Sequence, residues 1–288
     1  MKPAPFVWHG PETVAEALDL LAEVGPQGKV LAGGQSLVPV LAMRLAEPAH
    51  LVDINRIAEL DTLTIDETGV RIGALARHRR VERDAAAGRS QPLLPQALAM
   101  VAHPTIRNRG TSVGSLAHAD PAGELTTVLA LTGGTVSAAS TAGSREIAAA
   151  DFFVGPLESA LRPDELATSA FFPALAARSG TAFLEVSRRH GDYALCGVAA
   201  TVTLDENDDV AVVRCGYLSV AETPVVVDLT EAWQSGGDDA AAAARAAVDP
   251  ITDLHATADY RRQLAGVLTG RAVRQAIAAA HHGQETAA

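Results

Sequence analysis

Two short segments made mostly of small residues are the first places in this sequence where chemistry is expected. They read Ala32-Gly33-Gly34-Gln35-Ser36-Leu37 and Gly110-Thr111-Ser112-Val113-Gly114-Ser115. Glycine lets the backbone approach a ligand closely, and successive amide groups at the start of a helix bind anions. For the first segment, an ordinary tight turn with Ser36 as helix cap is an equal alternative. The two segments together favour a ligand whose central diphosphate is held from both sides.

The common nucleotide-binding signatures are missing from both segments. Neither contains the GxGxxG spacing of dinucleotide-binding folds or a GKS or GKT phosphate loop. The sequence therefore disfavours the usual nicotinamide-binding and nucleoside-triphosphate-binding folds.

A third segment, Ser187 to Ala194, combines arginines, a glycine and one aromatic residue. Tyr193 on such a loop can cover a planar cofactor, and the guanidinium groups of Arg188 and Arg189 can face a phosphate or the charge of an electron acceptor. The alternative, which these residues alone favour, is a solvated basic turn with the tyrosine packed against the core.

Other catalytic arrangements are not predicted. His103, His118 and His190 lie on separate segments without an HExxH or paired-cysteine pattern, so no metal site is expected. Asp120 and Glu124 have helical spacing, but a proline and a glycine among them argue against a helical acid–base pair. The chain has 2 cysteines, whereas an iron–sulfur cluster usually needs about four thiolates.

The elements that position these segments are predicted from apolar spacing and turn residues. Thr13 and Glu16 have the spacing of a capping box, which predicts a helix over 12–24. The strands predicted after it cover 29–32, 50–54, 69–75, 133–139, 199–204, 210–213 and 216–220. Helices are predicted over 37–45, 91–102 and 238–248, with one or two more within 260–280, and a loop over 110–115. A domain boundary is expected near 174–180.

Length and composition describe an ordinary globular protein. The chain has 288 residues, of which 48% are hydrophobic and 20% charged. A net charge of −11 disfavours a partner with a nucleic-acid backbone. No apolar stretch approaches the roughly 20 residues that span a bilayer, and the start of the chain leads straight into a helix signal rather than an apolar signal region. We therefore expect a cytoplasmic protein without a membrane span.

Taken in order, the motifs resemble one family. AGGQSL at 32–37 is followed by the stretch IRNRGT…GSLAHADP at 106–121, by PDEL around Asp164, and by SRRHGDYA at 187–194. Asp253-Leu254-His255 with Tyr260-Arg261-Arg262 completes the series. This order is similar to that of the flavoprotein (medium) subunits of the molybdenum hydroxylases, which include the medium subunit of aerobic carbon monoxide dehydrogenase and the flavin domain of xanthine dehydrogenase.

The resemblance implies an α+β fold. Residues 1–176 would form a two-lobed FAD-binding domain of the vanillyl-alcohol oxidase and xanthine dehydrogenase (PCMH) type, with lobes at roughly 1–56 and 57–176. Residues 177–288 would form a smaller α+β domain like the C-terminal domain of the carbon monoxide dehydrogenase flavoprotein.

The resemblance also implies which residues bind FAD. The segments 32–37 and 110–115 would surround its diphosphate, Glu124 would hydrogen-bond ribitol or ribose hydroxyls, and Tyr193 would lie over one face of the flavin. Leu161 and Leu166 would pack near the isoalloxazine ring. The full set of expected FAD-binding residues is Ala32, Gly33, Gly34, Gln35, Ser36, Leu37, Ala102, Gly110, Thr111, Ser112, Gly114, Ser115, Ala117, Asp120, Glu124, Leu161, Leu166 and Tyr193.

Val113 departs from the family pattern, which usually has two glycines before the Ser or Asn of the second segment. A Cβ atom disfavours positive φ, so we expect a backbone conformation suited to valine and no direct FAD contact from this residue.

The function implied by the resemblance is electron transfer without a catalytic side chain. A large molybdopterin subunit would oxidise the substrate, a small iron–sulfur subunit carrying [2Fe-2S] clusters would pass electrons to the FAD, and an external acceptor would receive them. Two such heterotrimers are expected to pair. The alternatives are a free-standing FAD-dependent oxidoreductase of the same fold and an assembly subunit that has lost its flavin, the latter motivated by Val113.

Overall fold

The first part of the chain is a small parallel sheet with two helices. The computed structural model describes residues 2–285. The strand order in this sheet is β1-β3-β2, with both neighbours parallel to β3. The elements are β1 (Val7–His9), α1 (Val14–Val24), β2 (Gly28–Leu31), α2 (Leu37–Ala42) and β3 (His50–Asp53). The start of the chain was expected to lead straight into the first helix, but a strand precedes it.

Local sequence explains both ends of α1. The Thr13 hydroxyl accepts a hydrogen bond from the Glu16 amide (3.2 Å), and the Glu16 carboxylate accepts one from the Glu12 amide (2.8 Å). Gly25, with φ of 51°, ends the helix in a conformation that suits glycine. The predicted helix over 12–24 therefore begins two residues later than expected and ends where expected.

The second part is a five-stranded antiparallel sheet with most of the helices. Its strand order is β4-β5-β10-β6-β7, and β8 and β9 form a separate hairpin. The elements are β4 (Leu63–Asp66), β5 (Gly69–Gly73), α3 (His78–Arg83), α4 (Ala85–Ser90), α5 (Leu93–Met100), α6 (Pro104–Arg107), α7 (Ser112–His118), α8 (Glu124–Thr132), β6 (Thr135–Ser140), β7 (Gly143–Ala148), α9 (Ala149–Phe152), β8 (Phe153–Gly155), β9 (Glu158–Ser159) and β10 (Leu166–Pro173).

The third part is a four-stranded antiparallel sheet in the order β11-β12-β13-β14. Its elements are β11 (Ser179–Ser187), β12 (Ala194–Leu204), β13 (Val210–Leu218), β14 (Val225–Asp228), α10 (Thr230–Ser235), α11 (Gly237–Ala247) and α12 (Ala258–Glu285). The predicted strands over 210–213 and 216–220 are one continuous strand, and the region 260–280 lies in a single helix. The α+β fold class is confirmed.

Both faces of the third sheet are buried, against different neighbours. One face packs under α12 in a core that includes Val198, Val202 and Ala272. The other face contributes Ala199 and Leu218 to the core shared with α5 and α8. Burial on both faces explains why β12 reads as an almost continuous apolar run rather than an alternating one.

The segment 110–115 was predicted to be a loop, but most of it forms the start of helix α7. The Thr111 hydroxyl accepts a hydrogen bond from the Gly114 amide (3.2 Å), which caps α7. Val113 is 2% exposed and lies in the core beside Leu116. Capping and burial therefore outweigh the low helix propensity of this small-residue stretch. Val113 is not among the residues with positive φ, which confirms the expected backbone conformation.

The region between α7 and α8 is fixed to the third sheet by hydrogen bonds. The Ser219 amide donates to the Pro121 carbonyl oxygen (2.9 Å), and the Thr127 hydroxyl donates to the Tyr217 carbonyl oxygen (3.4 Å). At the other end of the contact, the Gln96 amide group donates to the Thr181 hydroxyl (3.1 Å). The second and third parts thus share a continuous interface.

A pair of glycine substitutions tests the packing of α12 on β11. A Cβ atom at Gly180 would overlap the backbone of Ala276 and Ala280, whereas one at Gly270 would only reach the Arg274 guanidinium group at 3.5 Å. We expect Gly180→Ala to lower the free energy of unfolding by about 3 kcal/mol, as overpacking does. Gly270→Ala, inside α12, is expected to be neutral or stabilising by up to about 1 kcal/mol. Urea denaturation followed by circular dichroism measures both, and equal stabilities would contradict the close approach.

Candidate functional site

The turn between β2 and α2 presents several unpaired donors. Gly34 has φ of 72°, a conformation that favours glycine. Within residues 2–285, the amides of Gly33, Gly34, Gln35 and Ser36 donate to no protein acceptor. Ser36 occupies the cap position of α2, but its side chain makes no capping hydrogen bond. The turn therefore offers four N–H groups and a hydroxyl to an anion.

The second small-residue segment lies directly against this turn. A Cβ atom on Gly33 would be 2.6 Å from the Arg109 carbonyl oxygen and 2.8 Å from the Gly110 Cα atom. One on Gly114 would be 3.7 Å from the Ala32 Cβ atom. The structure thus brings together two segments that are far apart in sequence.

A hydrogen-bonded network that sequence reasoning missed joins the two segments. The Asn55 amide group donates to the Ala32 carbonyl oxygen (2.8 Å). The Arg77 guanidinium donates to the Asn55 side-chain oxygen (2.8 Å) and to the Arg109 carbonyl oxygen (2.8 Å). Asn55 follows strand β3, and a polar residue at the end of a strand is a sequence signal that could have identified it as a site residue. Arg77 is one of several arginines in its region, and nothing in the sequence distinguishes it from them.

A cleft of about 350 Å³ opens at the junction. It is lined by Leu31, Ala32, Gly33, Gly34, Gln35, Val38, Pro39, Asp53, Asn55, Ile106 and Arg109. Burial, followed by the neighbouring charge of Arg109, lowers the pKa of Arg77 from its ordinary value. The Arg109 guanidinium in the cleft wall, with Arg77 behind it and free amides beside it, makes this cleft suited to a diphosphate.

The second segment offers fewer free donors than the first. The Ser112 amide donates to the Ala76 carbonyl oxygen (3.2 Å), and the Gly114 amide donates to Thr111. The Ser112 side chain is fully buried, with its hydroxyl 3.4 Å from the His78 ring. Burial lowers the pKa of His78 to about 4, so the ring is neutral at neutral pH. The Ser112 hydroxyl is therefore turned into the protein.

The turn before α6 is held by a buried arginine that was also missed. Ala102 has φ of 42°, and Arg107 donates to the carbonyl oxygens of Val101 (2.8 Å) and Ala102 (3.2 Å). Arg107 is 6% exposed and pairs with Glu82 at 3.0 Å. Arg107 therefore fixes the turn that contains the predicted ligand Ala102. The next residue, His103, contacts the loop that carries Tyr193.

A second cavity of about 580 Å³ brings together Asp120 and Tyr193, with Arg261 and Ser219 in its wall. Tyr193 is 69% exposed, so its ring is available to a ligand or partner rather than packed on the core. Glu124 is half-buried at the first position of α8. Burial, followed by the charge of Glu185, raises the pKa of Glu124 to about 8. Glu124 is therefore mostly protonated at neutral pH.

Of the eighteen predicted ligands, six line one of the two cavities, namely Ala32, Gly33, Gly34, Gln35, Asp120 and Tyr193. The other twelve line neither cavity, and among them are Ser115, Ala117, Leu161 and Leu166. Leu166 is 2% exposed and belongs to the core, and Leu161 packs against that core from its edge. Ser115 and Ala117 are half-buried on α7.

Removal of Asn55 tests the network between the two segments. Asn55→Ala deletes the hydrogen bond to Ala32 and leaves Arg77 without one acceptor. We expect a loss of about 1–2 kcal/mol in the free energy of unfolding and faster hydrogen exchange at residues 32–36. Asn108→Ala, at an exposed position whose side chain makes no hydrogen bond in residues 2–285, is the control. Identical exchange in the two variants would show that Asn55 does not hold the turn.

No helix in residues 2–285 combines the length and the apolar character needed to cross a lipid bilayer. The same residues contain no group of three or more potential metal ligands.

Comparison with known proteins accounts for both halves of the chain. Residues 4–175 match the family described as the FAD binding domain in molybdopterin dehydrogenase, and residues 181–276 match the CO dehydrogenase flavoprotein C-terminal domain.

Individual relatives match over nearly the whole length. The 6-hydroxypseudooxynicotine dehydrogenase complex subunit alpha of Paenarthrobacter nicotinovorans is 40% identical, with 99% of each chain covered. The carbon monoxide dehydrogenase medium chain of Afipia carboxidovorans is 33% identical, with 97% of this chain and 99% of the relative covered. The structure of quinoline 2-oxidoreductase from Pseudomonas putida 86 superposes with a TM-score of 0.91 at 34% identity, covering 97% of this chain and 99% of the other. These matches confirm the resemblance found in the motifs: the chain belongs to the family of FAD-binding subunits of the molybdopterin dehydrogenases.

Proposed function

We propose that this chain receives electrons from an iron–sulfur partner and delivers them to an external acceptor through an FAD held between the two small-residue segments. FAD supplies the redox chemistry when bound, and the protein supplies position and electrostatics. The observation that supports this most directly is the contact of Gly33 with the backbone of 109–110, beside four free amides. A side chain at Gly33 would fill the junction, so the residues present fit a ligand held there by backbone groups.

The proposed FAD contacts follow from where the predicted residues lie. The amides and hydroxyl of 33–36 bind the diphosphate. A Cβ atom on Gly114 would overlap the Thr111 hydroxyl, so this glycine preserves the cap of α7 next to that turn. Asp120 and Glu124 bind hydroxyls further along the coenzyme, and Tyr193 limits access to the ring. The side chains of Ser112 and Leu166 are buried, and they support the site rather than contact the ligand.

The assembly is proposed by analogy with relatives whose names describe subunits. One relative is named as the alpha subunit of a dehydrogenase complex and another as a medium chain. We propose a large molybdopterin subunit and a small iron–sulfur subunit as partners, paired heterotrimers, a cytoplasmic location, and domain limits at 1–176 and 177–288. Exposed apolar side chains such as Trp8, Ile251 and Leu254 provide surfaces for such contacts.

The absorption spectrum of the purified protein tests the proposal. Flavin bands, together with co-purifying large and small subunits, are the expected result. Flavin with substrate turnover by the lone chain would instead establish the free-standing oxidoreductase. A colourless protein that does not take up added FAD would establish the flavin-free assembly subunit. Val113, which suggested that last alternative, packs in the hydrophobic core, so its presence is explained without loss of the flavin.

Glycine substitutions in the first turn test the placement of FAD. Gly33→Ala drives a Cβ atom into the backbone of 109–110, and Gly34→Val adds a branched side chain at φ of 72°. We expect each to weaken FAD binding at least about tenfold, equivalent to about 1.4 kcal/mol, measured by flavin fluorescence on reconstitution. Gly88→Ala in α4, where the nearest neighbour is 3.5 Å away, should bind FAD like the wild type. Unchanged affinity in Gly33→Ala and Gly34→Val would move the coenzyme away from this turn.

A further inference from the structure

Two irregular points in the backbone of the third sheet lie in the wall of the second cavity. The pairing of β11 with β12 shifts between Val186 and Ser187, and it skips Leu195. Leu195 is therefore the extra residue of a β-bulge, which bends the strand. Ser219, directly after β13, has φ of 62°, in the left-handed region that disfavours a residue other than glycine. Both residues line the cavity, and irregular backbone of this kind persists only where neighbouring groups hold it.

Arg261, near the start of α12, contacts both of these points. Its Nη1 atom donates to the Leu195 carbonyl oxygen (2.7 Å) and to the Ser219 carbonyl oxygen (2.9 Å). Arg261 is 6% exposed, so these hydrogen bonds form away from water, where unpaired polar groups are costly. One guanidinium group therefore joins the beginning of β12 to the end of β13 at their irregular residues.

The Asp253 carboxylate fixes the orientation of this guanidinium group. One of its oxygens accepts a hydrogen bond from Arg261 Nη2 (2.7 Å), and the other accepts from the amides of His255 (2.8 Å) and Ala256 (2.9 Å). Burial opposes ionisation of this carboxyl group, but these hydrogen bonds outweigh it and lower the pKa of Asp253 to about 2. The ion pair is therefore fully charged at neutral pH, and it directs the guanidinium group at the sheet.

Each of the two points that Arg261 holds is connected to a predicted FAD-binding residue. Leu195 follows Tyr193 by two positions. The Ser219 amide donates to the Pro121 carbonyl oxygen (2.9 Å), directly after Asp120. Tyr193 and Asp120 line the same cavity, and burial, followed by the charge of Asp120, raises the pKa of the Tyr193 phenol. The hydrogen bonds of one buried side chain thus lead to two sides of the cavity.

The loop that carries Tyr193 has a second support in the FAD-binding part of the chain. Gly191 has φ of 85°, and a Cβ atom there would be 2.4 Å from the His103 Cε1 atom. The His190 ring meets the His103 ring edge-on, with centroids 6.1 Å apart. His103 thus supports the middle of the loop, and Arg261 holds the end of the loop where β12 begins.

We propose that Arg261 is a positioning residue for the part of the site that covers the flavin. By holding the backbone at the bulge and after β13, it sets Tyr193 over the ring and Asp120 toward the hydroxyls of the coenzyme. The inference rests on the proposed function, in which Tyr193 limits access to the flavin. Lysine in place of Arg261 would keep the positive charge but not the rigid planar group that donates to two carbonyl groups and a carboxylate.

Arg261→Lys tests the proposal through hydrogen exchange, measured by mass spectrometry on the protein with its partner subunits after removal of FAD. We expect residues 192–196 and 119–123 to exchange about fivefold faster, the effect of losing one hydrogen bond. Strands β4 and β5 should exchange as in the wild type. Arg271→Lys, at an exposed position of the same helix, is the control and should keep the wild-type pattern throughout.

The consequence for the coenzyme is measured on the FAD-loaded protein by iodide quenching of flavin fluorescence. We expect Arg261→Lys to lose protection from iodide, while its dissociation constant for FAD changes less than that of Gly33→Ala, because the turn at 33–36 is left intact. A purely structural role of Arg261 would lower the thermal stability of the variant and leave quenching below its melting temperature unchanged.

Asp253→Asn is a milder variant for the case in which Arg261→Lys does not fold. It weakens the hold on the guanidinium group and leaves the two carbonyl contacts in place, so we expect smaller changes in the same direction. Wild-type exchange or wild-type quenching in folded Arg261→Lys, or in Asp253→Asn where the first variant does not fold, would overturn the role of Arg261. Failure of the wild type to bind FAD would instead overturn the proposed function, and exchange in the FAD-free protein would still report on Arg261.

Discussion

The absence of a side chain at Gly33 allows two backbone segments, remote in sequence, to touch. Because its Cα faces the carbonyl oxygen of Arg109 and the Cα of Gly110, the turn after β2 and the start of α7 form one continuous edge. Everything proposed for the site depends on that edge. It sets the position of the free amides, and it leaves the cleft open where any larger residue would close it.

Hydrogen bonds from the surrounding side chains hold these two backbone segments in contact. Asn55 and Arg77 connect the carbonyl groups of the two segments through three hydrogen bonds of 2.8 Å. Arg107, paired with Glu82, fixes the next turn in the same way. The Arg77 guanidinium beside the cleft is thus held by protein acceptors and is preorganised.

The sequence predicts the fold well where the signals are local. Thr13, Glu16 and Gly25 define α1 by capping rules, and the glycine pair at 33–34 marks the turn. The start of α7 was misread because its small residues look like a loop and the local Thr111 cap was overlooked. The burial of Val113, by contrast, depends on neighbours distant in sequence. For the same reason β13 was divided in two: Arg214 and Cys215 in its middle pair with both β12 and β14, which sequence spacing does not reveal.

The site was predictable in its main-chain parts and not in its supporting side chains. Small residues between a strand and a helix predict an anion site, whereas Arg77 and Arg107 derive their roles from residues farther along the chain.

Helix α8 shows why the two halves of the chain are difficult to separate. It belongs by sequence to the first half, yet its Thr126 and Thr127 are fully buried, and the Thr127 hydroxyl donates a hydrogen bond to the Tyr217 carbonyl oxygen. A fragment truncated at residue 176 would expose that helix face to water, so the coenzyme half depends on the following sheet for its own integrity.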